Sequence, residues 1–301
     1  MRRHARLLAI ALVLVSWRAA TLMALEPAAT YRFGVVSFYN PRLMYLKYQP
    51  LVDYLSEQTG RRWELVVSAA YDPTVQSLCA GTVAAAYLGP FGYVRAHELC
   101  GADPVVRLQT NGKATYQSYI MVRQDSSLQS LPDLRGKSIG FGAPESTSSH
   151  LVPRAMLAQA GLTPGKDVAC RYLAHHERAA RSTLVGDVDA CAVRDIVGDK
   201  FLQRGLRILA KSGPIPNFPF VVAPGAPPGL RAELLRALVT LPGSDPRFAA
   251  TIAGWDEELA AGFAPTNDAE YSGIRKLALD VFGPLALTAP DSLLSCGGGG
   301  S

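Results

Sequence analysis

Four consecutive hydroxyl residues, Ser146, Thr147, Ser148 and Ser149, precede His150 where a short apolar run gives way to a helical pattern. Lys137 to Phe141 supplies the run, with Ile139 and Phe141, and Gly142-Ala-Pro144 breaks it. Leu151, Val152, Ala155, Met156, Leu157 and Ala160 then mark one apolar helical face, closed by Gly161. Pro153 falls in the first turn, where a missing N–H matters least. The hydroxyls therefore sit at a helix N-terminus, which offers unpaired backbone N–H groups and the positive end of a dipole to an anion. One serine would suffice as a cap. Anion site and over-supplied cap both fit the local pattern.

The elements that must position this turn read as alternating strands and helices. Tyr31–Val36 and Trp63–Val67 are strand patterns, separated by a helix from about Leu43 to Thr59 that Gly60 stops. Tyr71 opens the next helix with Asp72 as its expected cap, and Val83–Leu88 is a buried strand turning at Gly89-Pro90 into another helix. Val105–Gln109 and Ser118–Arg123 follow as strands. From about Asp125 a second series begins, with strands at Val168–Leu173, Val188–Val193 and Ile208–Ala210 and a helix from Glu177 to Val185. A proline-rich break at Gly213–Pro219 precedes an extended run and three helical stretches. This alternation predicts two α/β units.

Composition narrows the class. The 301 residues are 49% hydrophobic, enough for a large core or two domains. A net charge of +5 without a basic, aromatic-interleaved run argues against a nucleic-acid partner. Residues 1–24 read as a signal peptide: Arg2, Arg3 and Arg6, an apolar Leu7–Val15 stretch, then small residues with a cut after Ala24. The run is too short for a membrane span, so export without stable membrane insertion after cleavage is expected. Five cysteines fit an exported chain. The sequence-local pairs Cys79–Cys100 and Cys170–Cys191 are the expected disulfides, with Cys296 left over before the Gly297–Ser301 tail. Metal-ligand spacing is absent, and no metal or cofactor is expected.

Spread through the chain are Tyr87-Leu-Gly-Pro-Phe-Gly-Tyr93, Tyr116-Gln-Ser118, Leu131-Pro-Asp-Leu-Arg-Gly-Lys137, Ser146-Thr-Ser148, Leu151-Val-Pro-Arg154, His176-Glu177, Gly186-Asp-Val-Asp-Ala190, Asp195 and Ile215-Pro216. In this order and spacing the chain resembles the periplasmic phosphate/phosphite/phosphonate-binding proteins of ABC transporters. The resemblance implies a type II periplasmic-binding-protein fold: two α/β lobes joined by two hinge strands around a ligand cleft. Residues 31–120 plus 218–290 would form lobe 1, 121–217 lobe 2 and 291–301 a flexible tail. The hinge strands would cross near Tyr119–Val122 and Ile215–Phe220.

The implied ligand is a small phosphorus oxyanion, handed to an ABC-transporter permease. The implied ligand set is Ser146, Thr147, Ser148 and His176 on one wall, with Tyr71 and Tyr116 opposite. Asp195 would fill one of two acidic places that amine-bearing ligands require, while Phe218 stands in the second. That favours an unadorned phosphite, methylphosphonate or phosphate. His176 could add charge if cationic, and His150, where relatives commonly have glycine, would crowd or extend the site. Ser37 and Phe38 could line the cleft mouth. Catalysis by Ser146 or Ser148 with His176 is disfavoured, since no Gly-x-Ser-x-Gly elbow isolates one serine. A sensing component for a membrane receptor, or a binder of another anion such as a sulfonate, are the remaining alternatives.

Overall fold

The computed structural model describes residues 29–36, 41–110, 112–241, 249–288 and 294–296. The signal-peptide segment, Ser37, Phe38 and Gly297–Ser301 lie outside the described residues. In chain order the first elements are β1 (Thr30–Val36), α1 (Pro41–Thr59), β2 (Arg62–Ser68), α2 (Tyr71–Cys79), β3 (Ala85–Tyr87), α3 (Pro90–Cys100), β4 (Asp103–Leu108) and β5 (Thr115–Tyr116). Next come β6 (Ser118–Arg123), β7 (Ser138–Phe141), α4 (Val152–Gln159), β8 (Ala169–Tyr172), α5 (His176–Leu184), β9 (Ala190–Arg194), α6 (Asp195–Leu202) and β10 (Leu206–Lys211). The chain returns through β11 (Ile215–Pro216) and β12 (Pro219–Val222) to α7 (Leu230–Val239), α8 (Ala249–Ile252), α9 (Glu257–Ala260), β13 (Phe263–Pro265) and α10 (Ser272–Phe282).

These elements form two sheets. Lobe 1 is built on the order β13-β4-β12-β3-β1-β2, with β1 parallel to both β2 and β3. Lobe 2 is built on β10-β6-β9-β7-β8, with β7 parallel to β8 and β9. Strands covered on both faces become continuous apolar runs, and β9 is buried along its whole length. The core of lobe 1 gathers Phe33, Leu51, Tyr87 and Phe91 with Trp255, Leu259 and Ile274 of the returning segment. In lobe 2, side chains alternate across the sheet: Ile139, Ala190 and Leu157 pack on one face, Cys191, Val193 and Phe201 on the other.

Three sequence expectations are corrected. The crossing between lobes is the antiparallel pair β5–β11, Tyr116 opposite Ile215; Tyr119–Val122 already belongs to the lobe 2 sheet. Asp72 lies inside the first turn of α2, which Ala70 begins, and its carboxylate pairs with the buried Arg95 at 3.1 Å.

The third concerns cysteines. Cys79–Cys100 is bonded as expected, tying the ends of α2 and α3. Cys170 instead bonds Cys296, with Cα atoms 6.4 Å apart, and Cys191 is free and buried. Geometry forbids the local pair. β7 lies between the strands carrying Cys170 and Cys191, so they stand two strand spacings, about 9–10 Å, apart. They also face opposite sides of the sheet, and a disulfide needs Cα atoms within about 7 Å. Burial pushes the Cys191 thiol up to about 12, which keeps it protonated.

Candidate ligand-binding cleft

The sequence-predicted residues converge because of where the strands end. β2, β3, β7, β8 and β9 each run into a helix start at their carboxyl ends, where open α/β sheets place ligands. Tyr71 begins α2, Gly89 precedes α3, Ser146 precedes the helical turn leading into α4, His176 begins α5 and Arg194 precedes α6. Each contributes outward-pointing N–H groups of a first helical turn.

The hydroxyl segment folds as a π-helical turn, Thr147–Leu151, that continues into α4. Each hydroxyl has a separate task. Ser146 Oγ caps the turn by accepting from the Ser149 amide at 3.1 Å. Ser149 Oγ accepts from the Gly142 amide, and a Cβ at Gly142 would strike that hydroxyl, so only glycine permits this closeness. Thr147 Oγ1 accepts from the Phe91 amide of lobe 1 at 2.8 Å, which leaves its own proton for an acceptor. Ser148 Oγ is buried with no hydrogen-bond partner among the described residues, although its carbonyl accepts from Ser118 Oγ at 2.5 Å.

His176 comes to the same place from the end of β8. Ala174 before it holds a left-handed φ of 61°, the sort of local strain that turns a chain sharply toward a site. The Arg194 amide donates to His176 Nδ1 at 3.1 Å, so the neutral ring carries its proton on Nε2. Burial and the nearby Arg194 charge press the imidazole down to about 3. The cationic form considered from sequence is therefore disfavoured near neutrality, where the ring is a neutral imidazole with its proton on Nε2.

On the opposite wall, Tyr71 and Tyr116 are buried in the lobe 1 and hinge segments. Burial raises both phenols, so they stay protonated; the Ser146 hydroxyl lies beside Tyr71, and those of Ser148 and Thr147 beside Tyr116. Tyr116 Oη, like Ser148 Oγ, is buried without a well-aligned hydrogen-bond partner among the described residues. Gly89 has ordinary extended geometry (φ −66°, ψ 154°), so conformation does not demand glycine there. A Cβ at Gly89 would instead stand 3.5 Å from Phe218 and Tyr71 and 3.7 Å from Thr147 Oγ1, in the space between the walls.

Asp195 is not brought to the hydroxyls as a free acid. Its two oxygens accept from the Gln117 and Ile196 amides at 2.8 and 2.9 Å, which fixes the backbone beside Tyr116. His150 neither crowds nor extends the cleft. It is fully buried, donates from Nδ1 to the Pro144 carbonyl at 2.6 Å and accepts at Nε2 from Tyr172 at 2.8 Å. Phe218 packs against both Tyr87 and Tyr116 in tilted contacts, with centroids 5.4 Å from each.

Two residues escaped the sequence reading. Arg194, 4% exposed, lies with its guanidinium carbon 4.9 Å from the Tyr116 ring centre and 4.6 Å from that of Phe218. Its Nη1 pairs with Glu258 of lobe 1 at 2.6 Å. Burial opposes the Arg194 charge, but Glu258 and the surrounding phenols hold the group firmly cationic. Glu258 also accepts from Tyr87 at 3.2 Å. A signal for Arg194 existed, a lone cation closing the apolar strand Ala190-Cys-Ala-Val193. Glu258 had none, being 64 positions away.

The chain matches known proteins in sequence and in fold. A profile of phosphonate ABC-transporter periplasmic substrate-binding proteins matches residues 33–271. The phosphate-import protein PhnD of Mycolicibacterium smegmatis is 30% identical over 268 residues, covering 78% of this chain and 80% of its own. A binding-protein component of an ABC phosphonate transporter from Pseudomonas aeruginosa superposes with TM-score 0.75 at 21% identity, covering 87% of this chain and 90% of that one. PhnD1 of Prochlorococcus marinus in complex with methylphosphonate gives TM-score 0.74 at 16% identity, covering 84% of this chain and 98% of that one. The fold is that of type II periplasmic binding proteins, and the chain belongs to the periplasmic substrate-binding proteins of phosphonate ABC transporters.

Proposed function

We propose that this protein captures a small phosphorus oxyanion (phosphite, a phosphonate or phosphate) between its lobes and delivers it to an ABC-transporter permease. The observation that carries this reading is a pair of buried, neighbouring hydroxyls, Tyr116 Oη from the hinge and Ser148 Oγ from lobe 2, neither of which has a well-aligned hydrogen-bond partner among the described residues. Buried polar atoms are nearly always hydrogen-bonded, so the pair calls for a shared acceptor. Around them stand the hydroxyls of Tyr71, Ser146 and Thr147 and the Nε2 proton of His176, a set made of donors. A tetrahedral oxyanion presents several acceptor oxygens to such a set, and charge makes each bond stronger. Two contacts that span the lobes, Phe91 to Thr147 and Arg194 to Glu258, support capture by closure. Nothing in the set favours serine catalysis: His176 Nδ1 takes a backbone amide, and Glu177 lies 3.9 Å from Arg181.

Titration calorimetry of the mature protein against phosphite, methylphosphonate, phosphate and an alkanesulfonate tests the reading. At least one phosphorus oxyanion should bind more tightly than the sulfonate. Ser148→Ala and Tyr116→Phe should each weaken it about tenfold or more, the worth of a hydrogen bond to a charged group. Unchanged affinity in both variants, or a preference for the sulfonate, overturns the assignment. Ligand-driven accumulation in vesicles bearing the neighbouring permease and ATPase separates uptake from sensing.

A further inference from the structure

Arg194 brings a full positive charge into the closed cleft, and its guanidinium is only half committed. Nη1 holds Glu258 of the facing lobe, while the adjacent rings of Tyr116 and Phe218 stand 4.9 and 4.6 Å from the guanidinium carbon on one side. Nε and Nη2 are buried with no hydrogen-bond partner among the described residues. These two nitrogens form one edge of the guanidinium, the fork that takes two oxygens of a phosphate-like or carboxylate-like group in parallel. An unpaired charged donor edge, 96% out of solvent by the residue's 4% exposure, is strongly unfavourable unless something fills it. The nearby carboxylates do not. Glu258 is held by Arg194 and Tyr87, and Asp195 by two backbone amides.

We propose that Arg194 is the specificity-determining residue of the cleft: its Nε–Nη2 edge takes two ligand oxygens, and its charge rejects phosphonates that carry an ammonium group. Glu258 is the positioning residue. It lies on α9 in lobe 1 and meets Arg194 of lobe 2, so the fork is aimed when the lobes are closed. A small dianion gains the fork and the hydroxyls together. An aminoalkylphosphonate of the same headgroup brings a second cation toward a buried guanidinium, where the nearby carboxylates Glu258 and Asp195 are already engaged by Arg194, Tyr87 and backbone amides. This inference rests on the reading of the cleft as a phosphorus-oxyanion site.

The test measures Kd for methylphosphonate and 2-aminoethylphosphonate on the wild type, Arg194→Gln, Arg194→Lys and the double variant Arg194→Gln/Glu258→Gln. Removing both charges in the double variant avoids an unpaired buried carboxylate and keeps the test open should Arg194→Gln alone fail to fold. The wild type should prefer methylphosphonate by at least about tenfold. Arg194→Gln or the double variant should lose about tenfold or more in methylphosphonate affinity and bring the preference below about threefold. Arg194→Lys keeps the charge without the fork, so it should lose affinity yet retain the preference. A wild type without that preference, or folded neutral variants whose methylphosphonate affinity or preference is unmoved, overturns the role of Arg194. A wild type that binds no phosphorus oxyanion at all would instead defeat the underlying reading of the cleft.

Discussion

His150 is fully buried and His176 half-buried, and both imidazoles are pressed down to about 3 and so neutral near pH 7, yet their surroundings are opposite in kind. His150 faces the back of the hydroxyl turn, where a carbonyl fixes its proton on Nδ1 and Tyr172 occupies Nε2. Both nitrogens are satisfied, and Phe141, Tyr172 and Phe282 enclose the ring at centroid distances of 5.0 to 5.5 Å. His176 is the mirror case: a backbone amide occupies Nδ1, the proton sits on Nε2, and Nε2 has no protein partner among the described residues. The difference teaches that a depressed pKa does not separate the two rings; the partner at Nε2 does, Tyr172 for His150 and none among the described residues for His176.

Breaking the structural side should give the largest effect. Cys296→Ser opens the Cys170–Cys296 bond, which closes a span of 126 positions and lies against the Tyr172–His150 pair through the Cys296 amide. Loss of about 2–5 kcal/mol is expected, read as a lower urea midpoint for the oxidised protein. Equal midpoints with and without the bond would refute it. His150→Gln should follow, at about 2–3 kcal/mol, because it disturbs two buried hydrogen bonds and the ring packing. Its affinity for methylphosphonate should stay within about threefold of wild type, the sense in which His150 stands outside the cleft.

The functional side predicts the reverse pattern. His176→Gln should weaken anion binding by about 1.5–3 kcal/mol, the worth of a charge-assisted donor. Calorimetry would contradict this if affinity held while stability collapsed. The pH dependence of stability sharpens the comparison at a smaller scale. A histidine at about 3 in the folded protein and about 6.5 unfolded leaves the unfolded chain binding more protons below pH 6.5. Stability is therefore fully present above that pH and declines as pH falls toward 3, at up to about 1.4 kcal/mol per pH unit for each histidine. His150→Gln should flatten that decline between pH 6 and 4 by roughly one histidine's share; parallel wild-type and variant curves would show that His150 is not the group responsible.

Much of the fold was legible. Alternating apolar runs and helical faces marked both α/β units, and the proline-rich stretch before Phe220 marked a break, while the return to the first unit was implied by the family resemblance alone. The hydroxyl cluster at a helix start was legible too, since a cap and four adjacent hydroxyls are local features. The misreadings arose where the answer lay across the chain. Asp72 has the composition of a cap, but its partner Arg95 sits on the next helix. Asp195 has the charge to hold an amine, yet two backbone amides claim it. His150 follows the serines directly, and the helical rotation carries it to the other face.

By itself the sequence determined the order of the elements, the strand ends from which a site would be built, and the presence of an anion-suited helix start. Periodicity, breakers and capping chemistry act over a few residues, so they are written locally. Only the tertiary structure decided which cysteines meet, because sheet order places β7 between Cys170 and Cys191. It also decided that Arg194 and Glu258 meet between the lobes, leaving the Nε–Nη2 edge of Arg194 without a partner among the described residues. Those outcomes depend on strand order and lobe closure, which bring distant residues within hydrogen-bond reach and which no local pattern encodes.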